Sequence, residues 1–221
     1  MSSSIFTDVD QYIHELFIPE DEALNKTMNS ISETGIPSIS VSYTQGKMLF
    51  LLAKMSKPKR ILEIGTLAGF STIWLARALP SDGVLVTLEL EQQHADIALK
   101  NIENAGLSDK VQILVGPAGE SLDQMIKGKT EPFDFIFIDA DKPPYAEYFK
   151  QSLKLSKPGT VIVADNVVRE GRILDKATTD EDAAGIARFN KLISETPEVD
   201  ASILQTVGEK MHDGIAIAIV K

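Results

Sequence analysis

The stretch FDFIFIDADK, residues 133–142, is almost wholly apolar for six residues and then ends abruptly in two aspartates and a lysine. An apolar run without polar alternation marks a strand covered on both faces, as strands of a parallel sheet are. Charge at the end of such a strand faces a ligand-binding crevice. A second run, TVIVADN at 160–166, repeats the pattern and closes on Asp165 and Asn166. Two neighbouring strands would then deliver oxygen ligands to one crevice. Such ligands suit Mg²⁺, Mn²⁺ or Ca²⁺ far better than zinc or copper, so a metal-assisted reaction leads.

Working outward, KRILEI (59–64), VLVTLE (84–89) and VQILV (111–115) read as further strands, with helical spacing at 71–80, 91–105, 119–127 and 144–156. This alternation predicts a doubly wound α/β sheet. At the chain's end SILQTVG (202–208) and GIAIAIVK (214–221) are separated by only five residues. A crossover helix needs about a dozen, so this pair is expected to be antiparallel, placing one reversed strand in a parallel sheet. Before the first strand, 8–33 and 44–56 read as helices, broken apart by Gly35 and Pro37, and suited to cap the crevice. No repeat, low-complexity tract or linker interrupts the chain. One domain over 1–221 is expected, with a helical cap region at 1–57 and a Rossmann-like core at 58–221.

With 221 residues, 43% hydrophobic and 24% charged, the chain can build one sizeable core. No apolar stretch reaches the roughly 18 residues needed to span a bilayer, and MSSSIFTDVDQ lacks the features of a signal peptide. A cytoplasmic protein with no membrane partner is expected. The absence of cysteine excludes disulfides, thiolate metal sites and a cysteine nucleophile. A formal charge of −10 argues against broad binding to nucleic-acid phosphates.

ILEIGTLAGFST at 61–72 is a strand entering a glycine-bearing turn and then a helix. Gly65 and Gly69 let a ligand approach the backbone, and the helix amides beyond them offer donors. The spacing Glu-x-Gly-x-x-x-Gly fits neither the dinucleotide fingerprint nor the P-loop. Taken alone, the turn is equally well a tight connection. Glu89 ends the second strand, where an acidic residue accepts hydrogen bonds from both ribose hydroxyls of a nucleoside cofactor. Glu63, Gly65, Gly69 and Glu89 together favour an adenosine cofactor over solvated strand ends.

At this point the sequence resembles the cation-dependent, S-adenosylmethionine-dependent O-methyltransferases, the family of catechol and caffeoyl-CoA O-methyltransferases and small bacterial relatives. LEIGTLAGFST, TLEL with Glu89, VGPAGESL (115–122), FIFIDADKPPYAEYF (135–149) and VADNV (163–167) carry the resemblance over nearly the whole chain. It implies a seven-stranded methyltransferase sheet with a reversed last strand. It also implies cofactor contacts from Val41, Glu63, Gly65, Ser71, Glu89, Ala118, Asp139 and Asp141. Asp139, Asp165 and Asn166 would be the metal ligands, for Mg²⁺ first and Mn²⁺ or Ca²⁺ as alternatives, with Lys142 as the catalytic base. Pro117 departs from the pattern, since relatives carry a residue with a free amide or a carboxylate there. A homodimer is expected on the same ground.

The implied reaction is methyl transfer from S-adenosylmethionine to a hydroxyl of an ortho-dihydroxy aromatic, with a hydroxylated tRNA base as the alternative acceptor. The basic cluster Lys57, Lys59 and Arg60 precedes the first strand, on the side opposite its ligand-binding end. The loop 167–185 and the amino-terminal region are expected to line the substrate entrance. His14, His94 and His212 lack metal-ligand spacing and read as surface or loop residues, with a substrate-facing position open to His212. Phe70 and Trp74 read as packing residues of the first crossover helix, Phe70 close enough to the glycine turn to brush the cofactor. Tyr145 and Tyr148 read as core or dimer packing.

Overall fold

The computed structural model describes residues 3–221, so the first two residues of the 1–221 domain and of MSSSIFTDVDQ lie outside the described residues. Three helices lead: α1 (Ser3–Phe17), α2 (Glu22–Thr34) and α3 (Tyr43–Ser56). Then follow β1 (Arg60–Ile64), α4 (Phe70–Ala78), β2 (Val84–Glu89), α5 (Gln92–Asn104), β3 (Val111–Val115) and α6 (Ala118–Lys127). The remainder comprises β4 (Phe133–Ile138), α7 (Tyr145–Lys154), β5 (Ser156–Ala164), a 3₁₀ turn (Arg169–Leu174), α8 (Glu181–Glu195), β6 (Val199–Gly208) and β7 (Met211–Val220).

All seven strands form one sheet in the order β3-β2-β1-β4-β5-β7-β6. β1 to β5 are mutually parallel, whereas β7 runs antiparallel to both β5 and β6. The α/β fold with a reversed last strand is therefore as expected. β4 lies between β1 and β5, which explains its unbroken apolar sequence. Phe135 and Phe137 enter the core under α3 and α4, while Ile136 and Ile138 enter the one under α7 and α8. The one charge inside the strand, Asp134, sits at a register shift, accepts the amides of Lys59 and Arg60, and pairs with Lys157.

Three boundaries differ from the sequence reading. The segment 8–33 is two helices, because Pro19 lacks an amide to continue α1 and Asp21 caps α2 by accepting the Leu24 amide at 3.0 Å. Asp21 also pairs with Arg77 of α4 at 2.6 Å, tying the cap to the core. The loop read at 167–185 gives way at its end to α8, whose N-cap is Asp180, accepting the Asp182 and Ala183 amides. Finally, the last two strands are joined by only Glu209 and Lys210, because the ladder continues through polar His212 and Asp213.

The chain order reverses between β1 and β4. The crevice of such a sheet opens at the carboxyl ends of these strands.

Candidate active site

A cleft of about 1050 Å³ opens there. Its β1 wall begins at Gly65, whose φ of 102° suits glycine and whose amide bonds the Leu88 carbonyl at 3.0 Å. A Cβ at Gly65 would collide with the carbonyl oxygen of Asp139, so the turn is pressed directly against β4. Gly69, at φ 83°, starts α4.

Glu89 holds this turn from β2. Its Oε2 accepts the amides of Thr66 (3.2 Å) and Leu67 (2.8 Å), and its Oε1 accepts that of Glu91 at 3.0 Å. His94 Nδ1 stands 3.3 Å from the same Oε1 and lines the cleft. Sequence reasoning missed His94, although its position in the first turn after a strand-end glutamate is a usable signal.

Glu63 is fully buried behind the wall. It accepts hydroxyl hydrogen bonds from Ser71 (2.6 Å), Thr72 and Thr87 (2.8 Å). Burial pushes its carboxyl up to about 7, the three hydroxyls pull it down, and the charge of Asp139 raises it further. Of the residues expected around the cofactor, Val41, Gly65, Ser71, Glu89, Ala118, Asp139 and Asp141 line the cleft, whereas Glu63 touches it only through Ser71. Ala118 begins α6, and Pro117 before it has no amide to contribute.

Beyond β4, Asp139, Asp141 and Lys142 follow one another in the wall. Lys142 Nζ donates to Asp139 Oδ1 and to the Tyr145 hydroxyl, both at 2.9 Å. Burial lowers the lysine's pKa, but the Asp139 charge and Tyr145 outweigh it, and the ammonium is held well above its ordinary value. Tyr145 is completely buried, bonds the carbonyls of Ile138 and Asp165, and has its own phenol raised by burial. Tyr148 donates to Asp141 Oδ1 at 2.8 Å. Both tyrosines pack in the core as expected, yet their hydroxyls serve the wall, and their helical spacing after Lys142 was the available clue.

Asp165 lies just beneath the wall, 4% exposed. Burial and the neighbouring Asp139 push its carboxyl up to about 7, while the Asn166 amide, donated at 2.8 Å, opposes this. Asn166 has a left-handed backbone at φ 59°, and its side-chain amide makes no hydrogen bond within the described residues. It lines both the main cleft and a smaller cavity of about 170 Å³ between α1, α3 and the β6–β7 hairpin. Of the segments expected at the substrate entrance, Arg169 and Asp182 line the cleft, and Asp10 of α1 lines the smaller cavity. His212 lines neither and bonds Gln205 at 2.9 Å. Phe70 lines the cleft and Trp74 is buried in the core. In the basic cluster, Lys59 pairs with Asp82 and Arg60 stacks on Phe133.

The O-methyltransferase family model matches residues 15–220 of this chain, nearly its whole length. The chain belongs to the O-methyltransferase family. It is an S-adenosylmethionine-dependent O-methyltransferase, similar over all of both chains to a catechol O-methyltransferase of Niastella koreensis at 54% identity. A catechol O-methyltransferase of Mycobacterium tuberculosis is 43% identical over 97% of this chain and 96% of its own. Among solved structures, an O-methyltransferase from Bacillus cereus in complex with SAH superposes with a TM-score of 0.98 at 50% identity, covering 100% of both chains. The O-methyltransferase TomG from Streptomyces achromogenes, in complex with SAM, gives a TM-score of 0.96 at 43% identity, covering 100% of this chain and 99% of its own. In this methyltransferase the cleft between the glycine turn and the Asp139–Lys142 wall is the candidate active site. No helix of the described residues is long and apolar enough to cross a membrane.

Proposed function

We propose that the enzyme methylates a hydroxyl of an ortho-dihydroxy aromatic with the help of a divalent cation held by Asp139, Asp165 and Asn166. One observation carries this reading: the Asp139 carboxylate and the unbonded Asn166 side-chain amide line the cleft that also holds the glycine turn and Glu89, and the Asp165 carboxylate lies just beneath them at the end of the adjacent strand. Among the described residues no three His, Cys, Asp or Glu side chains gather at a metal-binding distance, so the third ligand in this reading is the amide. The donors fit the ion. All are hard oxygens, and burial together with the Asp139 charge makes Asp165 costly to ionise, a cost that a cation relieves. The catechol O-methyltransferases that the chain resembles point to the same acceptor class.

When bound, such a cation supplies Lewis acidity that lowers the pKa of a phenol otherwise protonated near 10. The chain's own residues do the rest. The glycine turn and Glu89 offer a backbone cradle and a carboxylate to a nucleoside, with Val41, Ser71, Ala118 and Asp141 completing the cofactor contacts. Glu63 sets the Ser71 hydroxyl from behind. Lys142 takes the acceptor's proton at Nζ. To do so it must first be neutral, and Asp139 and Tyr145 govern that by holding or releasing the ammonium. Alignment of acceptor and methyl donor in the cleft supplies a further share of the rate.

Residues 1–221 act as one unit in this reading, α3 of the cap packing on α4 of the core. A homodimer belongs to it as well, for which the exposed Tyr12, Leu16 and Phe17 of α1 offer apolar surface. The test is transfer from labelled cofactor to catechol, caffeate, caffeoyl-CoA, flavonoids and tRNA, with and without chelator. Chelator-sensitive methylation of the ortho-dihydroxy compounds is the expected result. Transfer that ignores chelator, or that selects tRNA, would contradict the reading.

A further inference from the structure

Arg169 stands three residues beyond Asn166, in the wall of the main cleft. Its backbone is left-handed at φ 52°, followed by Glu170 at 56° and Gly171 at 82°. Non-glycine residues adopt this conformation only where the surroundings impose it, and such strain gathers at functional sites. Here Asp213 of β7 imposes it. A single carboxylate oxygen accepts the amides of Val168, Arg169 and Gly214, each at 2.9 Å.

The side chain is held equally firmly. Asp182 of α8 takes one terminal nitrogen, Nη2, at 2.9 Å and so tethers the guanidinium beside the cleft. Nη1 makes no hydrogen bond within the described residues, while Nε, also without a partner, is buried inside the protein. The charge around it is lopsided. The described residues lining the cleft include Asp139, Asp141, Glu89, Glu120 and Asp123, against Lys142 and Arg169 as the lysines and arginines. Lys142 is already engaged by Asp139 and Tyr145. Arg169 is thus the cleft's one arginine among the described residues, with Nη1 still unbonded, whereas Lys142 has spent two of its three donors. A planar guanidinium with free donors matches the two oxygens of a carboxylate, which a neutral group does not.

We propose that Arg169 recognises an anionic group on the acceptor, so that carboxylated ortho-dihydroxy aromatics are preferred to neutral ones. The inference rests on the acceptor class proposed above and narrows it. A carboxylate could also come from the cofactor's amino-acid end. The acceptor is favoured as the source because Arg169 follows β5 beside Asn166, while the cofactor's glycine turn follows β1.

The test compares kcat/KM for 3,4-dihydroxybenzoate and its neutral methyl ester in wild type, Arg169→Met and Arg169→Lys. Wild type is expected to prefer the acid by about tenfold or more. Arg169→Met should bring the ratio to about one, with Arg169→Lys between. Calorimetry of 3,4-dihydroxybenzoate binding to SAH-loaded protein should show the same ranking without turnover. Lack of preference in wild type, or its survival in Arg169→Met, overturns the proposal. Loss of SAH affinity in Arg169→Met with the acceptor ratio intact also overturns it, assigning the guanidinium to the cofactor. If neither compound is methylated, the acceptor class fails, and calorimetry still decides Arg169: equal binding to wild type and Arg169→Met refutes it.

Discussion

The two walls of the cleft are built in opposite ways. On the β1–β2 side nearly every charged oxygen is already satisfied by the chain: Glu63 by three hydroxyls, Glu89 by three amides. On the β4–β5 side Lys142 bonds Asp139 alone of the two carboxylates, the Asp165 carboxylate accepts only the Asn166 backbone amide, and the Asn166 side-chain amide has no partner within the described residues. Buried polar groups are costly unless paired, so a self-satisfied wall is a preorganised cradle and an under-satisfied one is built to be completed from outside. The difference separates shape, supplied by the glycine turn, from charge, supplied by the second wall.

The largest effect that could break this contrast is expected at Asp165. Asp165→Ala should lower chelator-sensitive turnover about a thousandfold or more, the several kcal/mol that a Lewis acid contributes. Calorimetry should find SAH affinity changed by no more than about threefold, a shift below 1 kcal/mol. Loss of cofactor binding alone would mean that the walls do not divide the work.

Gly65→Ala attacks the other wall through its backbone. A methyl there meets the Asp139 carbonyl, at a φ that alanine resists, and should cost on the order of 4 kcal/mol of stability in urea unfolding. A variant of wild-type stability would show that the turn is not pressed against β4.

The buried Glu63 makes the first wall pH-sensitive. Its carboxyl titrates at about 7 in the folded protein against an ordinary value of 4.5, so between these values the folded state keeps a proton that the unfolded state has lost. Stability therefore falls as pH rises through that window, by on the order of 3 kcal/mol for this group. Glu63→Gln mimics the protonated acid and should remove that part of the slope, matching wild type near pH 4 and exceeding it near pH 8. Parallel unfolding curves for the two proteins across the window would sink this account.

The smallest of these effects belongs to Lys142→Met, expected to reduce kcat about a hundredfold, as loss of a general base does. Undiminished turnover at neutral pH would leave Lys142 as nothing more than the counter-ion of Asp139 and a partner of Tyr145.

Much of this was legible beforehand. The unbroken apolar runs placed five parallel strands, and the short gap between the last two runs required a reversed partner. The strand-end oxygens at Asp139, Asp165 and Asn166, and the glycines at 65 and 69, were readable because chemistry at a strand's end follows directly from where the strand stops. What escaped were roles defined by partners distant in sequence. Glu63 reads as a residue facing the cofactor, but α4 folds over it. Tyr145 reads as packing, but its hydroxyl reaches Lys142. α8 went unrecognised because its start depends on an Asp180 cap within a polar stretch that reads as loop.

The amino-acid sequence by itself determined the sheet, its reversed strand and the residues delivered to the cleft. Strand period and connection length are local properties, and they leave little freedom in topology. Only the tertiary structure decided which of those carboxylates are satisfied and which are left wanting. It also decided that Arg169 keeps free donors, since Asp182 and Asp213 approach it from 13 and 44 residues away. Hydrogen-bond satisfaction is a property of neighbours in space, and no sequence window contains them.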